Sequence, residues 1–78
     1  MKKEIDWDAV LEEQKSLLTS AMVKDYAWEL EGADSSPYTF IIFDLQELIG
    51  LIEQGNYKEA YAIISEEYGE DYFDDYLL

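Results

Sequence analysis

The sequence predicts an α+β fold in the order α-β-β-α-α: one helix, a β-hairpin, then two to three further helices. Three observations lead there. An apolar stripe at helical spacing follows Asp6, the pattern between Lys24 and Phe43 alternates around a cluster of turn residues, and helical spacing returns after Asp44. An all-α three-helix bundle is the alternative, because one part of the middle region fits a helix as well as a strand.

Asp6 is placed to cap the first helix, its carboxylate accepting from the free backbone amides of the first turn. Trp7, Val10, Leu11, Leu17, Leu18, Ala21 and Met22 then make one stripe, with Gln14 its only polar member. Continuing the stripe would place Asp25 in the core, so the helix is expected to end near Val23 or Lys24. From Lys24 to Glu31 the period changes. Tyr26, Trp28 and Leu30 alternate with Ala27, Glu29 and Glu31, as in a half-buried strand.

Gly32 to Pro37 is a run of turn residues, and Tyr38 to Phe43 has the β-branched and aromatic make-up of a second strand. The competing assignment starts a helix with Ser36 as N-cap and Pro37 at N1. Tyr38, Ile41, Leu45, Leu48 and Ile52 would then lie on one face, leaving Phe40, Phe43 and Leu51 on its back. Two start signals after the apolar run favour the strand: Asp44 and Glu47 spaced as a capping box, and Phe43 and Leu48 at staple positions around them.

The second helix runs from Leu45 to about Gln54 and stops at Gly55. Asn56 caps the third, with Glu59 in the box position, and Tyr57, Ala60, Tyr61, Ile64 and Tyr68 form its apolar face. The last ten residues, 69–78, form an acidic aromatic segment. If Tyr61 to Asp75 were one helix, Glu66, Glu70 and Asp74 would form one i,i+4 row and Glu67, Asp71 and Asp75 another. Like charges at that spacing destabilise a helix by about 0.2–0.5 kcal/mol per pair. The favoured assignment instead ends the third helix at Tyr68, uses Gly69 as its terminator and opens a short helix at Glu70 and Asp71. Tyr72, Phe73, Tyr76 and Leu77 then dock the segment on the core.

Seventy-eight residues make a single small domain, with a radius of gyration expected near about 11–12 Å. There is no cysteine and no histidine, so no staple and no zinc site, and a homodimer is an option for supplementing so small a core. No apolar run approaches the ~18–20 residues of a membrane span, and the expectation is a soluble cytoplasmic protein. Nineteen acids stand against five lysines, with no arginine, for a formal charge of −14. Such a field repels nucleic acid and anionic membranes and speeds association with cationic surfaces. Aromatics at 15% argue against the disorder that acidity alone would suggest.

The inventory excludes most catalysis: no histidine base, no cysteine nucleophile, no arginine clamp and no glycine-rich phosphate loop. No enzyme activity, cofactor or metal is expected, since the alternating acidic loop of a calcium site is also absent. Binding remains. Carboxylates and phosphates both accept paired hydrogen bonds from arginine, and tyrosines among the acids can stack on guanidinium groups. The expected interface is therefore Glu66, Glu67, Tyr68, Glu70, Asp71, Tyr72, Asp74, Asp75 and Tyr76, with a second group at Asp25, Glu29, Glu31 and Asp34 around the hairpin.

In its nineteen acids and in the run Glu66-Glu67-Tyr68-Gly69-Glu70-Asp71-Tyr72-Phe73-Asp74-Asp75-Tyr76, the chain resembles the small acidic inhibitors made by phages and mobile elements. These include anti-CRISPR and antirestriction DNA mimics and the phage inhibitor of uracil-DNA glycosylase. The resemblance is one of size and charge, without a shared motif. It implies a non-enzymatic inhibitor in the host cytoplasm that occupies the basic nucleic-acid-binding surface of a DNA- or RNA-handling protein, a CRISPR effector or restriction enzyme foremost. The alternatives are an immunity- or antitoxin-type inhibitor of a toxin nuclease, and a small acidic structural or adaptor protein whose charge secures solubility.

Overall fold

A computed structural model of the chain describes residues 4–32 and 36–78, and it is all-helical. Helix α1 spans Trp7–Leu30, α2 spans Thr39–Glu53 and α3 spans Tyr57–Tyr68, followed by a 3-10 segment at Glu70–Tyr76. Asp6 caps α1 as expected, its Oδ1 accepting from the Ala9 N–H at 3.2 Å. The predicted stripe faces the core over most of its length. Val10, Gln14 and Ala21 are buried and Trp7, Leu11, Leu17 and Leu18 are half-buried, while Met22 is already exposed.

The β-hairpin is not formed. Residues 24–30 continue α1, and residues 39–43 are the first turn and more of α2. Tyr26, Trp28 and Leu30 are all exposed, as are Ala27, Glu29 and Glu31, so their alternation reflects no buried face. Beyond Ala21 the helix has left the core, and nothing requires an apolar residue at Asp25. Good helix formers (Met22, Lys24, Ala27, Glu29, Leu30) carry it on, with the α2 hairpin alongside. At the far end the Trp28 and Tyr38 rings meet edge-on at 6.5 Å.

α2 begins two residues later than the competing assignment places it, with Tyr38 at the N-cap position, no side-chain cap bond there, and Ser36 and Pro37 in the turn before it. The Ser36 hydroxyl accepts from the Tyr38 N–H at 3.1 Å, and the Ile42 N–H donates to the Tyr38 carbonyl at 2.9 Å. Asp44 lies inside the helix and exposed, so its box-like spacing with Glu47 starts nothing. Leu45, Leu48, Ile49 and Ile52 are buried at helical spacing, and Phe40 and Phe43 stand exposed on the back at 78% and 61%. Asn56 occupies the N-cap position of α3 but makes no side-chain cap bond there. On α3 Ala60 and Ile64 are buried, whereas Tyr57, Tyr61 and Tyr68, expected on the same apolar face, are exposed at its margin. Trp7 lies over Tyr57 at 4.9 Å and Phe73 over Tyr61 at 4.7 Å.

One cluster of Val10, Leu48, Ile52, Ala60, Ile64 and Phe73 forms the core, and it sits toward one end of the molecule. The overall extents are 53 × 20 × 19 Å and the radius of gyration is 14.4 Å, larger than expected for a compact chain of this size. Unequal helix lengths account for the difference. At 1.5 Å per residue α1 is about 36 Å long and α3 about 18 Å, so the α1–α2 hairpin runs on beyond the body. Among the described residues no helix is long and apolar enough to cross a membrane.

Candidate functional site

Gly69 decides the geometry of the acidic tail. Its φ of 91° and ψ of 159° lie in a region essentially restricted to glycine. The chain turns there, and the single helix from Tyr61 to Asp75 does not form. The two i,i+4 carboxylate rows are therefore absent. The two-element assignment is the one observed: α3 closes with the Gly69 N–H on the Ser65 carbonyl at 2.9 Å, and the 3-10 segment opens with Tyr72 N–H to Gly69 carbonyl at 3.3 Å. Seven residues is long for this helix type, whose hydrogen-bond geometry is poorer than that of an α-helix. Its stability comes from docking.

Phe73 is the anchor, 3% exposed and edge-on to Trp7 at 5.7 Å. Past it, Asp6 N–H donates to the Tyr76 carbonyl at 2.6 Å and Leu78 N–H to the Glu4 carbonyl at 2.8 Å, framing an antiparallel bridge between Ile5 and Leu77. Glu66, Glu67, Glu70, Asp71, Asp74 and Asp75 all remain exposed around this docked segment. The tyrosines among them are arranged differently from the sequence expectation. Tyr68, Tyr72 and Tyr76 stack on one another, at 5.3 Å and 5.1 Å, with Tyr72 and Tyr76 half-buried. Tyr72 and Tyr76 are thereby partly covered, while Tyr68 stays exposed at 48%. Burial, hydrogen bonding to Tyr76 and nearby negative charge push the Tyr72 hydroxyl well above the ordinary tyrosine range. Burial, then Glu67 and Glu13, raise Tyr68.

Asp25, Glu29 and Glu31 lie on and just past the distal part of α1, and Asp34 lies outside the described residues. Gln14, by contrast, touches the tail: its Nε2 donates to the Tyr72 hydroxyl at 2.9 Å. Asp25 and Glu29 are about 16 to 22 Å farther along the helix than Gln14. The two predicted acidic groups are thus separate, and the structure does not bring them into one surface.

A feature the sequence did not announce lies between them. α1, α2 and the end of α3 enclose an open groove of about 520 Å³. Leu17, Ala21, Ile41, Leu45, Leu48 and Ile63 give it apolar walls, and Asp44, Glu47 and Glu67 stand along it. Lys24 also borders it, its Nζ 5.8 Å from the Tyr38 ring centre, a cation–π distance. At the inner end is Gln14, wholly buried, whose Oε1 has no hydrogen-bond partner. The helical spacing of Ile41, Leu45 and Leu48 was the available signal. The capping-box spacing of Asp44 and Glu47 points to a helix start and hides their place on the border of the groove.

Charge is little compensated across the surface. Among the described residues one ion pair forms, Lys15 to Glu53 at 4.0 Å, both ends about half exposed and therefore worth little. Among these residues no three acidic side chains are grouped as metal ligands. Compared with protein-family models, with curated proteins and with solved structures, the chain matches none. What the arrangement offers chemically is apolar contact and negative charge, presented together.

Proposed function

We propose that this chain acts by binding rather than by catalysis, as a small acidic adaptor-type module that holds a basic protein partner. The observation that carries this is the surplus of exposed carboxylate beside an open apolar groove, on a chain without histidine, cysteine or arginine. Contact of that kind combines long-range attraction for a cationic partner with a short-range apolar seat.

A second function, an inhibitor of the immunity type that plugs the basic site of a nucleic-acid-handling protein, draws support from the exposed carboxylates of the tail. Imitation of a DNA duplex draws less. The regular carboxylate rows do not form, and the tail tyrosines are stacked on each other rather than free for arginine.

Capture from a bacterial lysate, repeated with competitor DNA and with the variant Glu70→Gln, Asp71→Asn, Asp74→Asn, Asp75→Asn, separates the two. An adaptor captures a basic protein that DNA does not displace, and the tail variant slows association without abolishing it. DNA displacement together with loss of capture by the tail variant would establish the inhibitor instead. If neither form of the protein retained a basic partner, both would fall.

A further inference from the structure

The groove runs along α1 and opens to solvent. Between Gln14 and Lys24 it follows α1 for about 15 Å, or between two and three helical turns. Ile63, Glu67 and Tyr68 of α3 border it, so an occupant would lie next to the end of α3 in the same layer over the α1–α2 hairpin. Elsewhere on the body that layer is filled by α3 and the 3-10 tail. Here it is open, and Ile41 on its wall is 46% exposed.

The charge around the groove selects among occupants. Three carboxylates, Asp44, Glu47 and Glu67, and a single lysine, Lys24, stand on its border. A second copy of this chain would bring the same rim and its own charge of −14 against it. A nucleic acid would bring phosphates. A cationic segment with one apolar face meets both the walls and the rim.

Building on the binding function above, we propose that the groove between α1 and α2 is the docking site for a basic amphipathic helix of a partner protein, two to three turns long. Its apolar residues, at i, i+3 or i+4, and i+7, lie against Leu17, Ala21, Ile41 and Ile63. Its flanking lysines or arginines meet Asp44, Glu47 and Glu67. Apolar contact supplies affinity, and the rim supplies orientation and rate.

The test uses a fluorescein-labelled synthetic helical peptide of this pattern, with leucine on the apolar face and lysine and arginine elsewhere, read by anisotropy on the full chain. One control peptide keeps the leucines and replaces every base with glutamate. The other keeps the composition and scrambles the order. The expected result is binding at least tenfold tighter than either control, weakening with salt, and lost in Ile41→Glu. Asp44→Asn with Glu47→Gln should weaken it severalfold, and the four-residue tail variant should weaken it less than that pair does. Circular dichroism checks that Ile41→Glu remains helical, and the Asp44/Glu47 pair provides the result independently of that variant.

Equal binding of the scrambled peptide would overturn the proposal by reducing it to charge. Sedimentation equilibrium showing a micromolar dimer that Ile41→Glu dissolves would overturn it in favour of a second copy. If a lysate partner that DNA does not displace is held as well by Ile41→Glu as by the parent chain, the binding function stands and the groove is not its site.

Discussion

Replacing Gln14 with methionine should stabilise the protein. Gln14 is fully buried, yet only one end of its amide is satisfied: Nε2 reaches the Tyr72 hydroxyl at 2.9 Å, and Oε1 has no partner. Turning the amide over merely exchanges which end is satisfied. A buried acceptor left unpaired costs about 1–3 kcal/mol, whereas the single neutral hydrogen bond contributes about 0.5–1.5 kcal/mol. Tyr72 is only half-buried, so its hydroxyl can turn to water when the amide goes. Methionine has similar length and shape and no polar end to strand. The balance favours the variant by about 1 kcal/mol, which for a domain of this size raises Tm by roughly 4–8 °C. Urea denaturation followed by far-ultraviolet circular dichroism gives the difference directly, and an unchanged m-value confirms that only stability has moved. A loss of 1 kcal/mol or more would refute the reasoning, because it would mean that the bond to Tyr72 outweighs the stranded oxygen.

Gly69→Ala should destabilise by about 1–3 kcal/mol, because a side chain is forced into a backbone region that only glycine occupies freely. The new Cβ would also lie 2.9 Å from the Asp71 Oδ1; thermal melting measures the loss, and an unchanged Tm would contradict the assigned turn. With nineteen acids against five lysines, the fold should melt at higher temperature in about 0.5 M NaCl than at low salt, since screening there falls to roughly 4 Å. A Tm that dropped with added salt would count against self-repulsion. Alkaline pH should unfold the protein in a definite window. The folded-state pKa values of Tyr72 and Tyr68 are raised, so between the ordinary tyrosine value and those raised values the native state holds more protons than the unfolded one. Their contribution is complete below about pH 10 and declines as pH rises beyond it. Tyrosinate absorbance should show these two hydroxyls ionising together with the loss of helix, and Tyr72→Phe should move that midpoint upward.

Where a segment meets the core, its pattern was legible. The stripe from Trp7 to Ala21, the face of the second helix and Ala60 with Ile64 on the third follow from residues whose burial the fold enforces, and the break at Gly69 from its backbone. Tyr57, Tyr61 and Tyr68, expected on the same face as Ala60 and Ile64, are exposed. The region from Met22 to Phe43 misled because most of it projects past the core. Tyr26 and Leu30 are exposed at 63% and 70%, so spacing there carries no imprint of a buried face, and the local start signals around Asp44 are overridden by the continuous helix. The six tail acids are exposed, as their charge predicts, but the mutual stacking of Tyr68, Tyr72 and Tyr76 and the bond from Gln14 to Tyr72, distant in sequence, are not legible in the spacing. The groove depends on the unequal lengths of α1 and α3, which strand assignment of residues 24–31 concealed.

The pairing of Ile5 with Leu77 ties the two described ends of the chain together, Glu4 accepting from Leu78. Topologically the molecule is nearly a ring. Glu4 and Leu78 lie at one pole, so a segment attached at either end leaves from the same place. A short peptide could also join those ends, with new termini opened in the α1–α2 connection. Such a circular permutant would make Ile5 and Leu77 neighbours along the chain but send α1 and α2, the most extensive interface of the fold, to its opposite ends, and by raising contact order it should fold more slowly than the parent.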